Sequence, residues 1–318
     1  MRWNVDVRAF RYWAERRDKS PTPKLMSLDE AVKKFLRNGA VVALGGCLYS
    51  RTPMAAVHEI IRQGFRELTI VRNLAGFETD LLLVSGCLKR LVTSWCSPGY
   101  AWGMSRILRH YVENALAEFE EWSHLGIGLR LKAAAMGVPF LPTFSMLGSS
   151  IMEKLGIAEM TCPYSGEKLA LVPALYPDVA IIHASRADTY GNIQIDGYTH
   201  MDKDMAQAAR HVIATVEEVV DSDEIRRSAE RTVIPFFCVD AVVEQPFGAY
   251  PSECWGRYEA DFSHIASYQK RVDEKGIEGA KSYVSENIMG VSSFMEFLSK
   301  VGIEQLLDRV RAFRNVVT

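Results

Sequence analysis

Apolar residues along the chain come in two rhythms. Short unbroken runs (Val41-Val42-Ala43-Leu44, Leu68-Thr69-Ile70-Val71, Leu91-Val92-Thr93-Ser94, Val179-Ala180-Ile181-Ile182-His183-Ala184 and Val239-Asp240-Ala241-Val242-Val243) have the length and β-branched content of buried strands. Between them the apolar positions recur every three or four residues, as on one face of a helix. Ser27 opens such a helix, with Asp29 and Glu30 in its first turn, Ala31, Val32, Phe35 and Leu36 facing inward, and Gly39 at its end. Pro53 opens a second, with Met54, Val57, Ile60 and Ile61 on one side, which stops near Gly64. Ser105 caps a third, in which Leu108, Val112, Ala115, Phe119 and Trp122 fall at helical spacing. Fully apolar strands alternating with helices predict an α/β fold: an open, mostly parallel sheet with helices on both faces. In such sheets ligands sit at the carboxyl ends of the strands, so the loops there matter most.

Three segments follow. Residues 1–26 form an N-terminal extension in which Trp3, Phe10 and Trp13 alternate with Arg2, Arg8, Arg11, Arg16 and Arg17, before the breaker Ser20-Pro21-Thr22-Pro23. Its acids Asp6, Glu15 and Asp18 argue against a transit peptide and for a short amphipathic helix lying on the main body or on a partner. Residues 27–262 carry the α/β domain, and 263–318 a polar helical segment packing on that domain or on a partner chain.

The composition narrows the function more than the fold. With 318 residues, 48% hydrophobic and 24% charged, the chain can bury a sizeable core, and a net charge of -2 gives no electrostatic case for nucleic acid. No apolar run approaches the ~18 residues of a membrane span. The six cysteines form no CxxC and no metal-like pairing with the seven histidines. They read as reduced thiols of a cytoplasmic protein with no metal site.

The stretch 38–53, NGAVVALGGCLYSRTP, is the centre of the candidate chemistry. A buried strand that runs through Gly45-Gly46 into a helix lets backbone amides approach a ligand closely. Three loops share its company: 73–80 after the second strand, 95–103 (Trp-Cys-Ser-Pro-Gly-Tyr-Ala-Trp-Gly), and 144–150, whose Gly148 and Ser149 can offer an amide and a hydroxyl to an anion.

Asn38, Gly39, Val42, Ala43, Leu44, Gly45, Gly46 and Pro53 fall in register with a signature of the class I coenzyme A transferases: Asp/Asn-Gly, three apolar residues, Gly-Gly-Phe, then Gly-x-Pro. Cys47 stands where that family has Phe, and Arg51 where it has Gly. The segments 179–192 and 219–258 resemble the α subunits of the glutaconate CoA-transferase branch nearly throughout, with Tyr250 replacing a His. The resemblance implies the CoA-transferase (NagB/RpiA-like) fold and a covalent reaction. A glutamate carboxylate attacks an acyl-CoA thioester, an acyl anhydride forms, and returning CoA gives a glutamyl-CoA thioester. In two-subunit members that glutamate lies on the β subunit, so this chain is expected to lack it and to work in an α2β2 heterotetramer. The CoA thioester is then a substrate and not a permanently bound cofactor. By the same resemblance Gly45, Gly46, Ser97, Gly99, Tyr100, Gly148 and Ser149 are expected to line the CoA and acyl site. Pro98-Gly99 replaces the family's Asn-Ser, which points to a different acyl group.

His124 is the one candidate catalytic side chain. A base there would suit hydrolysis or C–C cleavage of a CoA ester better than transfer. Two other readings therefore stand beside transfer to a short carboxylic or dicarboxylic acid: the same scaffold as an acyl-CoA hydrolase, ring-cleaving enzyme or decarboxylase, and a non-catalytic effector-binding module. Ser285-Glu286-Asn287 mimics the family's Ser-Glu-Asn-Gly nucleophile motif, but Ile288 replaces its glycine. Glu244 reads as a surface or subunit-contact acid, and His183 as a hydrogen-bonded strand histidine.

Overall fold

The computed structural model describes residues 6–99 and 101–317. Tyr100, Arg2 and Trp3 lie outside the described residues. Seven parallel strands build the main sheet, in the spatial order Ala241–Glu244, His211–Val219, Val179–Ala187, Val41–Leu44, Leu68–Val71, Leu88–Thr93 and Glu118–Glu121. Two short antiparallel strands, Ile193–Gln194 and Thr232–Ile234, extend the far end of Val179–Ala187. The chain winds outward in one direction from Val41–Leu44 and in the other from Val179–Ala187. The order therefore reverses between these two neighbours, the place where open α/β sheets bind ligands.

Alternate residues of each central strand feed opposite faces, as the two-residue repeat of a strand requires. Val42, Leu44, Ile70, Leu91 and Ile181 enter one core, with the helices Leu28–Phe35, Met54–Arg62 and Phe77–Val84 and the C-terminal helices. Ala43, Val71, Val92, Ala180 and Ile182 enter the other, with the helices His124–Met136 and Asp202–Ala208 and a three-stranded antiparallel side sheet of Phe140–Thr143, Lys168–Pro173 and Glu159–Thr161. The helix at Leu28–Phe35 starts on the expected capping box, Ser27 with Glu30. The expected amphipathic N-terminal helix is Val7–Arg16; Phe10 packs against Tyr176 at 4.5 Å, and Arg17 behind it pairs with Asp240 at 2.5 Å.

The expected helix from Ser105 to Trp122 is a correction. Ser105 does cap a helix, through a bond from Leu108 N of 3.0 Å, but it spans only Arg106–Glu113. Ala115 then takes a left-handed conformation (φ 54°), and Glu118–Glu121 becomes the edge strand beside Leu88–Thr93. The apolar spacing of Val112 and Phe119 is coincidental: the two are 36% and 37% exposed, on different elements. His124 consequently does not trail a helix but begins one. Cys96 and Trp95 likewise leave the loop state, pairing in parallel with Leu74–Ala75.

Candidate active site at the sheet crossover

Val41–Leu44 ends at the reversal point, and the chain turns there through Gly45-Gly46. The Gly45 amide continues the sheet to Ile181 O at 2.8 Å, and a Cβ on it would lie 3.0 Å from both Asp202 Oδ1 and Ile182 Cγ1. Gly46 is left-handed (φ 70°) and gives its amide to Asp202 Oδ1 at 2.8 Å. A Cβ there would overlap the Ser50 and Arg51 carbonyls, because Cys47 and Ser50 close a tight loop by exchanging backbone bonds of 2.8 Å. Leu48 (φ 49°) and Arg51 (φ 52°) are also left-handed without being glycine, so the turn stores strain that its surroundings hold in place.

Two buried guanidiniums do the holding. Arg51, fully buried, reaches Asp202 Oδ2 at 2.6 Å, His183 O at 2.8 Å and Tyr198 O at 2.7 Å. Arg72, equally buried, meets Glu78 Oε1 at 3.1 Å, Thr52 Oγ1 at 2.8 Å and Leu44 O at 3.1 Å, and also bonds Gly45 O. Planar, multi-donor arginine can collect several carbonyls and one carboxylate at once. Each positive charge is balanced by its own acid, which is the condition for burying it. The turn is therefore pinned from both halves of the chain.

Above this floor lie three polar side chains. Asn73 follows Leu68–Val71 and is almost fully buried; its carbonyl accepts Ser94 Oγ at 2.7 Å and Thr93 Oγ1 at 3.0 Å. Its Nδ2 lies 3.1 Å from Nε2 of His124. His124 is the first residue of His124–Met136, capped by Ser123 through Gly126 N at 2.9 Å, so it stands at the positive end of a helix. His200, at φ 47°, is exposed as a residue, yet desolvation of its ring and then the Arg51 charge pull its pKa down to about 4. Burial pushes the Cys47 thiol up, so it stays protonated.

The loop residues singled out from the sequence divide into two groups. Ser97 is buried and works on its own loop: it accepts Gly99 N at 2.9 Å and bonds Gly99 O and Gly103 O. Gly99 (φ 147°) leaves room for Tyr49, whose hydroxyl would overlap a Cβ there and bonds Pro98 O instead. Burial raises the Tyr49 phenol to about 12. The loop is thereby sewn to the Gly45-Gly46 turn. Gly148 is left-handed (φ 71°) with open space around it, and Ser149 caps Ser150–Leu155 through Met152 N at 3.3 Å. Buried Met146 ties that loop to the start of the His124 helix, with its sulfur 3.2 Å from where a Gly126 Cβ would be. Arg72, Asp202 and His200 were not singled out, and Asn73 only as the first residue of the stretch 73–80. Their one sequence signal is the polar pair Arg72-Asn73 placed directly after an apolar strand.

His183, Glu217 and Cys254 bring ligand-type atoms within 4.8 Å of one another beneath the site. His183 and Glu217 already have protein partners. Glu217 takes His183 Nε2 at 2.6 Å, Tyr258 OH at 2.8 Å and Phe247 N at 2.8 Å, and burial holds the Cys254 thiol well up. Glu286 pairs on the surface with Arg271 at 2.7 Å, within the C-terminal helical segment, and exposed Glu244 accepts Val219 N at 3.0 Å.

A model of the coenzyme A transferases matches residues 25–245, most of the chain and all of this site. The chain belongs to the coenzyme A transferase family. It is similar to the α subunit of glutaconate CoA-transferase from Acidaminococcus fermentans, with 35% identity covering 90% of this chain and 94% of the other. It is also similar to the corresponding chain of 3-oxoadipate CoA-transferase from Pseudomonas knackmussii, 37% identical over 87% of this chain and 98% of the other. The crystal structure of glutaconate CoA-transferase from A. fermentans superposes with a TM-score of 0.85, at 35% identity, covering 89% of this chain and 94% of that one. This is thus a CoA-transferase α-subunit chain, and its family takes CoA thioesters as substrates. The hydrolytic, decarboxylating and non-catalytic readings are not favoured.

Proposed function

We propose that this α subunit works with a β subunit, as an α2β2 heterotetramer, and moves CoA between an acyl-CoA and a short carboxylic or dicarboxylic acid. The observation that carries the reading is the state of the two acids at the crossover. Asp202 and Glu78 are buried, and each is spent on a guanidinium and a backbone amide of the site. Neither is free to attack a thioester, which supports a nucleophilic carboxylate supplied by the partner, as a glutamate that becomes a glutamyl-CoA thioester. A carboxylate is a weak nucleophile, and the help it needs is positioning and stabilisation of the developing oxyanion. In this reading the Gly45-Gly46 turn is the rigid floor of the reaction site. The Ser97–Gly99–Tyr100 and Gly148–Ser149 loops are walls for the CoA arm and acyl chain, and His124 meets the acyl group. CoA thioester enters as substrate, and no resident cofactor is needed. Six free cysteines suit the reducing cytoplasm as the setting; no helix among the described residues is long and apolar enough to cross a membrane.

The test is intact-mass analysis of the α/β complex after incubation with acyl-CoA, alongside a turnover assay of each chain alone. The expected result is a CoA adduct, less one water, on the partner chain and no turnover by this chain by itself. An adduct on this chain, or robust turnover without the partner, would sink the assignment.

A further inference from the structure

The contact between Asn73 and His124 decides what the histidine can do, given the transfer reading above on which this inference rests. Asn73 is 4% exposed. Nδ2 faces the imidazole at 3.1 Å, while Oδ1 lies 3.4 Å from Ser94 Oγ, whose proton goes to the Asn73 main-chain oxygen at 2.7 Å. A carboxamide nitrogen only donates. The His124 Nε2 beside it must therefore accept, and the ring proton sits on Nδ1. Asn73 is the ring's one hydrogen-bond partner among the described residues, so the Nδ1–H remains for a ligand. The charged and titratable groups around this mouth are the Arg51–Asp202 and Arg72–Glu78 pairs and His200, whose lowered pKa keeps it neutral. None of them offers Nε2 an acceptor in place of Asn73.

We infer that Asn73 is a positioning residue that locks His124 as a hydrogen-bond donor, so that His124 binds an oxygen atom of the acyl substrate and does not serve as a general base. The oxygen belongs to an oxo or carboxylate group on the acyl chain, or to the thioester carbonyl as charge develops on it. A carboxylate nucleophile needs no proton removed, so a donor at this position assists the transfer step where a base would be idle.

The experiment uses the assembled α/β complex and compares Asn73→Asp, His124→Gln and His124→Ala with wild type across pH 5.5–9. Aspartate at position 73 accepts from Nε2–H and strips Nδ1 of its proton once the ring is neutral. The expected result for N73D is a new ionisation in the pH–rate profile: kcat/KM close to wild type at the acid end, where both ring nitrogens are protonated, and a loss of about tenfold or more at the alkaline end. A merely structural role would depress the rate in parallel at every pH, and that parallel profile would overturn the proposal. H124Q keeps a donor amide and is expected to retain activity within about tenfold, with H124A losing more. Equal losses of roughly 10²–10⁴-fold in both variants are the mark of a base and would also overturn it. The two failures are separable: a wild-type complex that forms no CoA adduct on its partner defeats the transfer reading, while the variant profiles are read on whatever CoA-ester turnover that complex performs.

Discussion

Arg51 shows how much of this site depends on single side chains with no room to move. Its guanidinium and the Asp202 carboxylate are both fully buried at 2.6 Å, and the same carboxylate also holds the Gly46 amide. Truncation by Asp202→Ala leaves a buried positive charge without its acid, which costs about 3–5 kcal/mol in comparable pairs. A denaturant titration of the complex should show a loss of that size, and a loss below about 1 kcal/mol would mean that water reaches Arg51. Gly46→Ala should also act on stability first. Its Cβ overlaps two carbonyls and its φ is 70°, a strain of about 1–3 kcal/mol, so a lowered melting temperature should accompany any change in CoA-ester affinity. The glycine pair itself is legible in the sequence, since few other residues permit such a turn. Its partner is not: Asp202 lies 156 residues further on, in a Met- and Ala-rich helix with nothing local to mark it. Asn73 and Glu78 do fall in a stretch, 73–80, that stands out by composition, though the helix Phe77–Val84 already begins within it, and only folding sets one against His124 and the other against Arg72.

The elements are most readable where burial is one-sided or complete. Val41–Leu44 and Leu68–Val71 appear at the bounds expected from their runs, while the stretch after Ser105 misleads, because Phe119 and Trp122 continue a helical spacing across a left-handed Ala115 into an edge strand. Three helices meet at one acid that no spacing reveals. Asp80 of Phe77–Val84 accepts Ser105 Oγ at the cap of Arg106–Glu113 (2.5 Å) and Tyr268 OH of Phe262–Lys275 (3.3 Å). Burial raises its pKa to about 7 from 3.8. A carboxyl with a raised folded-state pKa binds its proton more tightly folded than unfolded, so stability falls as pH climbs from about 4 to about 7 and levels off above. Asp80→Asn keeps an acceptor for Ser105 and turns an NH2 towards the Tyr268 oxygen, reversing that bond, without a charge to bury. Melts at pH 5 and pH 8 should show the variant gaining on wild type towards the alkaline end, by up to about 1.4 kcal/mol per pH unit inside that window. A gap independent of pH would contradict the shift.

At the scale of the whole molecule, the reversal between Val41–Leu44 and Val179–Ala187 gathers residues from both ends of the chain into one site. The C-terminal helices belong to the same body. Tyr268, Tyr283, Phe294 and Phe297 are each no more than 3% exposed and share a core with Leu44 and Val57. Burying such a side chain is worth about 1.5–3 kcal/mol, so a chain truncated after 262 loses, on these four alone, an amount comparable to the margin of about 5–15 kcal/mol by which a domain is stable. It should express insoluble or molten, by solubility and near-UV circular dichroism; a cooperative melt from 1–262 would show that the segment is a separate addition. The loop carrying Gly148 is less tightly enclosed. It is fastened by Met146 on one side and by the Ser149 cap on the other, with empty space between. On the reading proposed above, descendants of this protein change what they accept by rewriting a few surface letters there, while the arginine-bound floor, which tolerates almost no edits, passes from one specificity to the next unaltered.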